Sequence, residues 1–471
     1  MTPRSILLRG VLAGSMALTA AVAAASPVGQ WLTNADHSQG LKRPSAGLLF
    51  KRGRSSLPTI RVDRRRTFQS IEGFGYAITG GSAQVIMAMS PPARRALLTE
   101  IFGHGADDAK VHSIRISIGS SDLNDHVFSY DDLPPGQEDR DLRHFSIDED
   151  RKTLIPLLHE ILAIDPDIHI LASPWSPPTW MKTNGLPKAG SLKPEFYGVY
   201  AQYFVRYLRD MKAAGIPIES ITVQNEPQYL KNTPSMSMTA AEQAKFIGEH
   251  VGPALRAAGL DTRILAYDHN PNRPEYPLTV LADPKAARFI HGTAFHLYEG
   301  DPAAMSKVHE AHPDKPLYIT EQMVTDIDWE TQRPASTAST VSRFMIAPAR
   351  NWSEGVILWN LAADPAFGPH TADGGCVICQ GAVTIDGDTV TRNAGYYTLA
   401  QVSRFVTPGS RRIDSTNPDR DIANAAWITP DGRTVLVVAN QGVRKTSFAV
   451  AADGRIFETS LPAGGAATYV W

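Results

Sequence analysis

The sequence of 471 residues has only two cysteines, Cys376 and Cys379, and no large excess of either charge. A structural zinc site needs four ligands, and no second knuckle supplies the other two. The pair also does not follow the first strand of a thioredoxin-like unit, which argues against a redox motif. The formal net charge of −2 leaves no basic face for nucleic acid or an anionic membrane. We therefore predict no bound metal, no cofactor and no nucleic-acid partner.

Long apolar runs are also absent, except at the N-terminus. Arg4 and Arg9 precede a short apolar stretch that ends in three alanines. This order is typical of a signal peptide, and the apolar core is too short to span a membrane. We predict that residues 1–25 are cleaved, that the protein is exported to the periplasm or the medium, and that the mature chain has no transmembrane segment. In an oxidising compartment, Cys376 and Cys379 are predicted to form a local disulfide.

Two kinds of pattern divide the mature chain. Residues 67–404 alternate short apolar strands with amphipathic helices, as parallel βα units do. Residues 26–66 and 405–471 instead contain short strands between Gly, Asn and Asp turns, which is typical of an antiparallel sheet or sandwich. We predict an α/β fold: a (β/α)₈ TIM barrel with a side-attached antiparallel β-sandwich formed from both chain ends.

Two apolar strands lead into a glutamate. Residues 221–223 precede Asn225 and Glu226, and residues 317–320 precede Glu321. Carboxylates at the C-terminal tips of barrel strands are where this fold places its chemistry, although Glu226 alone also fits a solvated turn acid. Two such acids facing each other fit a retaining glycosidase, in which the carboxyl groups lie about 5–5.5 Å apart. We predict Glu226 as acid/base, Glu321 as nucleophile and Asn225 as a hydrogen-bond partner of the sugar 2-hydroxyl.

Three polar side chains in or after apolar strands point to the same site. Arg115 lies among apolar neighbours, and a buried arginine needs an acidic partner. Keeping Glu321 ionised fits that need, and a structural ion pair elsewhere is the alternative. His296 and Tyr298 share one face of a strand end by its period of two, where both can hydrogen-bond the nucleophile. A satisfied core histidine is the alternative for His296.

Two tryptophans follow strands in positions that suit sugar binding. Trp175 lies in a proline-rich loop after an apolar strand, and Trp359 lies at the end of another strand. An indole face can pack against the C–H surface of a pyranose, whereas most tryptophans pack in the core. Their shared placement at strand C-termini favours the first interpretation.

Several short motifs occur in a specific order along the chain. They comprise residues 73–75, 90–93, 173–180, 182–185, 225–227, 296–298, 359–362 and 467–471. In these motifs and their spacing the chain resembles the glucosylceramidases of glycoside hydrolase family 30, over nearly all of its mature length. The resemblance implies a (β/α)₈ barrel with a side-attached β-sandwich built from both chain ends.

The same resemblance assigns the site residue by residue. It implies Glu226 as acid/base and Glu321 as nucleophile. The residues that would line the glucose subsite are Arg115, Asp122, Trp175, Asn225, His296, Tyr298 and Trp359. Asp122, which would hold the distal sugar hydroxyls, rests on the resemblance alone, because a loop aspartate is usually a turn residue.

The chain departs from the family pattern at three places. One is the nucleophile strand, where Thr320 and Gln322 flank Glu321 and the animal enzymes have Ser and Ala. Gly80 stands where the family has an acidic residue, and the loop at 369–381 is closer to microbial members, which include glucosidases and β-1,6-glucanases. We predict a retaining, glucosylceramidase-like β-glucosidase whose substrate is a glycolipid or β-glucan. Alternatives within the class are an endo-β-1,6-glucanase and a β-xylosidase. A non-catalytic glycan-binding protein is the alternative from another class.

Overall fold

The computed structural model of the protein describes residues 27–43, 47–328 and 331–471. The predicted signal peptide, residues 1–25, lies outside the described residues. Within those ranges, no helix combines the length and hydropathy that crossing a bilayer requires.

The strands of the described ranges belong to a barrel, to a large sheet beside it and to two small sheets. In chain order they are β1 (Pro27–Thr33), β2 (Leu48–Leu49), β3 (Thr59–Ser70), β4 (Gly73–Ala77), β5 (Ser113–Ile118), β6 (His169–Pro174), β7 (Ser220–Thr222), β8 (Arg263–His269), β9 (Ile290–His296), β10 (Leu317–Glu321), β11 (Ile327–Asp328), β12 (Arg333–Pro334), β13 (Ser353–Leu358), β14 (Ala362–Ala363), β15 (Val383–Asp386), β16 (Thr389–Arg392), β17 (Arg411–Ser415), β18 (Ile422–Ile428), β19 (Thr434–Asn440), β20 (Thr446–Ala452), β21 (Arg455–Leu461) and β22 (Ala466–Val470).

The helices of the described ranges all lie between β4 and β17. In chain order they are α1 (Gly80–Met87), α2 (Pro91–Phe102), α3 (Leu154–Leu162), α4 (Tyr197–Ala213), α5 (Ala240–Lys245), α6 (Gly252–Ala257), α7 (Glu275–Ala282), α8 (Pro284–Ala287), α9 (Ala303–Ala311), α10 (Thr337–Val341), α11 (Ala347–Arg350) and α12 (Ala394–Ser403). Short 3₁₀ turns span Asp150–Lys152, Thr179–Met181 and Pro194–Phe196, and π-helical turns span Phe246–Val251 and Ser342–Ile346.

Eight parallel strands close into the predicted barrel, in the order β10, β13, β4, β5, β6, β7, β8 and β9. Strands β5 and β10 are buried along their whole length, because helices cover the outside and side chains fill the inside. One interior layer consists of Leu171, Leu265, Ala294, Tyr318 and Ile357. The common strand direction brings eight carboxyl ends to one mouth, so the prediction of a (β/α)₈ barrel is confirmed.

Both chain ends contribute to a nine-stranded sheet, in the order β2, β1, β22, β19, β18, β17, β3, β20 and β21. A backbone bridge between Lys51 and Ile456 joins its two outer ends, so the sheet curls around its own core. That core includes Ile60, Leu436 and Tyr469. Its neighbouring strands pair antiparallel, as predicted, except that β3 and β20 run parallel.

The first domain boundary lies later than residue 66. Strand β3 continues to Ser70 and pairs there with Arg411 of β17, so the predicted boundary falls inside a strand of the sheet. The first barrel strand then begins at Gly73, and α12 ends the barrel at Ser403.

A buried glutamine on α12 attaches the sheet to the barrel. Gln401 accepts a hydrogen bond from Thr33 Oγ1 at 2.8 Å and donates to Trp31 O at 2.9 Å and Thr468 Oγ1 at 2.8 Å. It therefore contacts β1 and β22 at once, and the first and last described strands are held against the same barrel helix.

Candidate active site

The two predicted catalytic glutamates face each other at the barrel mouth. Glu226 follows β7 and Glu321 ends β10, and they are 7% and 5% exposed. Nδ1 of His296 lies 3.1 Å from Oε1 of Glu226 and 3.7 Å from Oε1 of Glu321. These two oxygens are therefore at most about 6.8 Å apart. This upper limit excludes most of the ~6.5–9.5 Å range of inverting glycosidases and allows the separation of about 5–5.5 Å found in retaining ones.

Glu321 is held by two donors. Arg115 Nη1 donates to its Oε2 at 2.6 Å, and the Tyr298 hydroxyl donates to its Oε1 at 2.9 Å. Burial raises the pKa of Glu321 above its ordinary value, while His296 and Arg115 oppose that rise. Arg115 thus offsets the cost of burying this carboxylate rather than lowering its pKa below the ordinary range.

Asp268 is the centre of the polar network, and the sequence analysis did not identify it. Its Oδ2 accepts from Arg115 Nη2 at 2.9 Å and Thr222 Oγ1 at 2.7 Å, and its Oδ1 accepts from Thr320 Oγ1 at 2.7 Å. Burial acts to raise the pKa of Asp268, but Arg115, His296 and Thr222 hold it well below its ordinary value. Asp268 is thus a fixed negative charge beneath the two glutamates.

His296 links three carboxylates. Its Nε2 lies 3.1 Å from Oδ1 of Asp268, and its Nδ1 faces both glutamates. Burial alone lowers the pKa of His296, but Glu321, Asp268 and Glu226 raise it to about 10. The imidazolium form therefore prevails at neutral pH, and the ring donates from both nitrogens.

A break in β8 turns Asp268 toward the site. Tyr267 and Asp268 have φ angles of +77° and +67°, in a region that non-glycine residues seldom occupy, and the pairing register with β9 shifts there. Such bulges re-aim side chains at the rims of barrels. Glu226, with φ of +44°, donates its backbone N–H to Asp268 O at 3.0 Å. The two strand ends are therefore fixed to each other by backbone as well as side chain.

The carboxylates open into a cavity of about 300 Å³, within the size range of ligand sites. Its lining includes Asp122, Glu226, Tyr229, Asn232, Asn270, Tyr298, Glu299, Glu321, Met323, Trp359, Cys376, Ile378 and Cys379. Burial, together with the charges of Glu321 and Glu226, raises the pKa of Asp122 to about 8. Asp122 is then a neutral acid at pH 7, able to donate one hydrogen bond and accept others.

The two tryptophans occupy different depths. Their ring centroids are 5.5 Å apart, and only Trp359 lines the cavity. Trp175 is 2% exposed and packs against the Arg115 guanidinium, 4.9 Å from the ring centroid. Trp175 thus packs beneath Arg115 and Trp359, and Trp359 is the one of the two tryptophans whose ring is placed to meet a ligand in the cavity.

Asn225 is oriented by the same arginine. Its Oδ1 accepts from Arg115 Nη2 at 2.7 Å, and its backbone N–H donates to Pro174 O at 2.8 Å. This bond orients the amide and leaves its NH₂ group to donate to a substrate, as a partner of the 2-hydroxyl must.

The glycine at the family's acidic position has a local explanation. A Cβ on Gly80 would lie 1.9 Å from Asn124 Nδ2, so the Asn124 side chain occupies the space that an acidic residue would need. Asn124 in turn accepts hydrogen bonds from the backbone N–H and the hydroxyl of Ser121. The loop next to Asp122 is thus supported by an amide.

The mouth carries further residues that the sequence analysis did not identify. Asn232 Nδ2 donates to Glu226 Oε2 at 3.4 Å, and Nδ1 of His269 lies 3.7 Å from Glu226 Oε1. Cys376 and Cys379 form a disulfide whose loop forms one wall of the cavity. Glu226, His269 and His296 are close enough to ligate one metal ion, but both ring nitrogens of His296 already face carboxylates.

Comparison with known proteins decides the family. The glycosyl hydrolase family 30 TIM-barrel domain matches residues 71–406, and the family 30 beta sandwich domain matches residues 409–469. The chain belongs to glycosyl hydrolase family 30. It is therefore an O-glycosyl hydrolase that acts on glycans.

The chain is similar to enzymes that differ in their activities. The endo-1,6-beta-D-glucanase of Neurospora crassa is 35% identical over 84% of this chain and 86% of its own. The mouse lysosomal acid glucosylceramidase is 30% identical over 89% of this chain and 84% of its own. The solved endo-beta1,6-glucanase BT3312 is 32% identical, with a TM-score of 0.85 over 95% of this chain and 99% of its own.

Proposed function

We propose that this family 30 member is a retaining glycosidase that hydrolyses β-D-glucosidic bonds by double displacement. Glu321 is the nucleophile and Glu226 the acid/base. The observation that carries the proposal is the shared contact of both carboxylates with His296 Nδ1, because it keeps them close enough for direct attack on the anomeric carbon.

In the first step, Glu321 attacks the anomeric carbon while Glu226 gives its proton to the leaving oxygen. The glycosidic C–O bond breaks as the glycosyl–Glu321 ester forms. Tyr298 and Arg115 hold the two oxygens of Glu321 in place before attack. Glu321 loses its charge when the ester forms. Arg115 then still pairs with Asp268, so the guanidinium keeps a negative partner throughout.

In the second step, Glu226 takes a proton from water, and the resulting hydroxide displaces Glu321 from the anomeric carbon. Two inversions leave the product in the β configuration. The amide of Asn225 donates to the sugar 2-hydroxyl in both transition states. Asp122 and Trp359 hold the far hydroxyls and the ring face.

We propose β-1,6-glucan as the substrate, cleaved within the chain. The support is the similarity to several endo-1,6-beta-D-glucanases at 32–35% identity and to BT3312. The mouth also suits a second sugar: Tyr229 is 39% exposed and can stack on it, and Asn232 and Glu299 supply polar contacts. This proposal favours the glucanase alternative over the glucosylceramidase-like prediction.

Glucosylceramide is the second candidate substrate, and one feature of the mouth favours it. Leu230, Val377 and Ile378 are 38%, 61% and 53% exposed, on or beside two segments that line the cavity. Exposed apolar side chains at a site entrance suit an acyl chain better than a glucan. The mouse glucosylceramidase is 30% identical.

The test is product analysis with each substrate in parallel. Gluco-oligosaccharides from β-1,6-glucan, with no ceramide from glucosylceramide, support the glucanase; glucose and ceramide from the lipid alone support the second candidate. Hydrolysis of a β-xyloside in preference to the β-glucoside would indicate the xylosidase alternative. NMR of the first-formed anomer tests retention separately, and an α-product contradicts the double displacement. Sequencing the N-terminus of the exported protein tests cleavage of residues 1–25.

A further inference from the structure

A second cluster of ligand-type side chains lies apart from the catalytic carboxylates, in the long loop between β5 and α3. It consists of Asp131, Asp139 and His144, each of which offers an oxygen or nitrogen within 4.8 Å of those of the other two. A cation bonded at about 2.3–2.5 Å to each ligand spans that distance. The cluster therefore has the dimensions of a single cation site.

Asp131 is the member that needs a partner. It is 1% exposed, and neither of its carboxylate oxygens has a hydrogen-bond partner. A buried, ionised carboxylate without a counter-charge is strongly unfavourable, and buried charges in proteins are paired or coordinate metals. Asp139, which is 6% exposed, adds a second carboxylate rather than a counter-charge. Two buried acids therefore face each other, one of them with no donor.

His144 orients one of the two acids. Its backbone N–H donates to Asp139 Oδ2 at 2.7 Å, and its Nδ1 lies 2.9 Å from the same oxygen. Outer partners orient ligating carboxylates in this way at metal sites, and an imidazole can also ligate a metal itself. His144 is thus either the orienting partner of Asp139 or a third ligand.

The surrounding charge favours a cation. Residues 129–150 contain eight carboxylates and two arginines. Local excess of negative charge concentrates cations at the surface of the loop. The arginines are directed elsewhere: Arg140 pairs with Glu138 at 2.9 Å, and Arg143 pairs with Asp141 at 2.6 Å.

We propose that Asp131 and Asp139 bind one divalent cation, and that this cation holds the loop over the barrel mouth. Asp131 O accepts from Trp180 Nε1 at 2.9 Å, which ties the site to the loop after β6. The loop of the cluster begins beside Asp122, which lines the catalytic cavity. Ca²⁺ suits oxygen ligands with His144 as the orienting residue, whereas Zn²⁺ suits His144 as a ligand.

The test is direct binding and thermal stability of the purified full protein after removal of metals with a chelator. We expect one equivalent of Ca²⁺ or Zn²⁺ to bind by equilibrium dialysis. We expect the bound ion to raise Tm by several degrees at roughly 100-fold excess over Kd. Mg²⁺ serves as a comparison ion. His144→Ala is expected to abolish the response to Zn²⁺ and leave the response to Ca²⁺, which distinguishes the two ions.

Asp131→Asn is expected to abolish binding and the Tm response. Asp141→Asn is the matched control, because Asp141 lies in the same loop and is exposed, and it is expected to keep both. If Asp131→Asn does not fold, Asp139→Asn and the binding data on the unmodified protein decide. The proposal is overturned if the stripped protein binds none of the three ions. It is also overturned if Asp131→Asn and Asp139→Asn both bind the ion as the unmodified protein does. Neither result bears on hydrolysis of glucosides.

Discussion

The two ends of the barrel carry similar charged residues in different surroundings. At the carboxyl end, Arg115 pairs with Asp268 and Glu321, and none of these side chains is more than 7% exposed. At the opposite end, Arg263 pairs with Glu72 at 2.9 Å, with 41% and 32% of their side chains exposed. An exposed pair contributes about 0–1 kcal/mol, whereas removing one partner of a buried pair costs about 3–5 kcal/mol. The ion pairs at the two ends therefore differ more in burial than in residue type.

A perturbed pKa does not by itself distinguish the active end. At the opposite end, burial and the neighbouring Glu72 raise the pKa of Glu354 to about 7. The cavity inside the barrel at that end is only about 50 Å³, and two larger pockets of about 480 and 440 Å³ lie beside it. Within the described residues, these pockets lack the buried network that joins Arg115, Asp268 and Glu321 at the mouth. The mouth has both a charged network and room for a sugar. The site is thus identified by the combination of paired carboxylates and a cavity.

The largest expected difference between the ends is catalytic. Glu321→Gln removes the nucleophile, so we expect kcat/KM on β-1,6-glucan to fall by about 10⁴-fold or more. Glu219→Gln is the matched change at the other end, where Glu219 pairs with His169 at 2.5 Å. We expect it to alter kcat/KM by less than about 2-fold, since surface changes seldom reach the site. Comparable losses in the two variants would contradict the assignment of Glu321.

The acid/base role of Glu226 depends on the leaving group. Glu226→Gln is expected to slow hydrolysis of β-1,6-glucan by about 10²–10⁴-fold, because the alcohol must leave protonated. A dinitrophenyl β-glucoside needs no such proton, so its first step is expected to stay fast, with a burst of phenolate before slow turnover. Glu299→Gln, in the wall of the same cavity, is the control and is expected to show no burst. Equal losses on both substrates would contradict the role.

Stability gives the third contrast. Arg115→Met leaves Asp268 and Glu321 without their buried cation, so we expect the free energy of unfolding to fall by about 3–5 kcal/mol. Arg263→Met at the exposed end is expected to lower it by about 0–1 kcal/mol. Denaturant titrations of both variants measure the difference. Similar losses would mean that Arg115 is as solvated in solution as Arg263.

The position of the two glutamates at the barrel mouth was predictable because each follows or ends an apolar strand, and parallel strands bring such ends together. Asp268 carries the same signal: residues 263–267 form a largely apolar strand that leads into Asp268 and His269. The bulge that turns Asp268 inward depends on two left-handed backbone positions, and residue pattern does not predict these at Tyr267 and Asp268. The network around Asp268 therefore required the structure.

Pairing between distant segments was the least predictable part of the fold. Strands β3 and β20 are nearly four hundred residues apart, and their parallel pairing follows from how the two chain ends meet. The alternating pattern of each strand is the same for parallel and antiparallel neighbours when one face is buried. The sequence also does not predict that Trp175 lies deeper than Trp359, because both follow strands in the same way.

The smallest expected effect is on how stability depends on pH. His296 and His291 contribute to this dependence with opposite signs. The pKa of His296 is raised to about 10, so its stabilising contribution is complete below about pH 6.5 and is lost as pH rises toward 10. The pKa of His291, at the other end, is lowered by burial and by Arg263, so protonation costs stability as pH falls below about 6.5.

These signs predict how Tm responds to removal of each ring. The loss caused by His296→Gln should be largest below pH 6.5 and shrink between pH 7 and 9. The loss caused by His291→Gln should be largest above pH 7 and shrink as pH falls to 5. Scanning calorimetry of both variants and the unmodified protein at matched ionic strength measures the two trends. Parallel trends would show that His296 is neutral in the folded protein, and then one ring nitrogen would have no proton to donate to the carboxylate it faces.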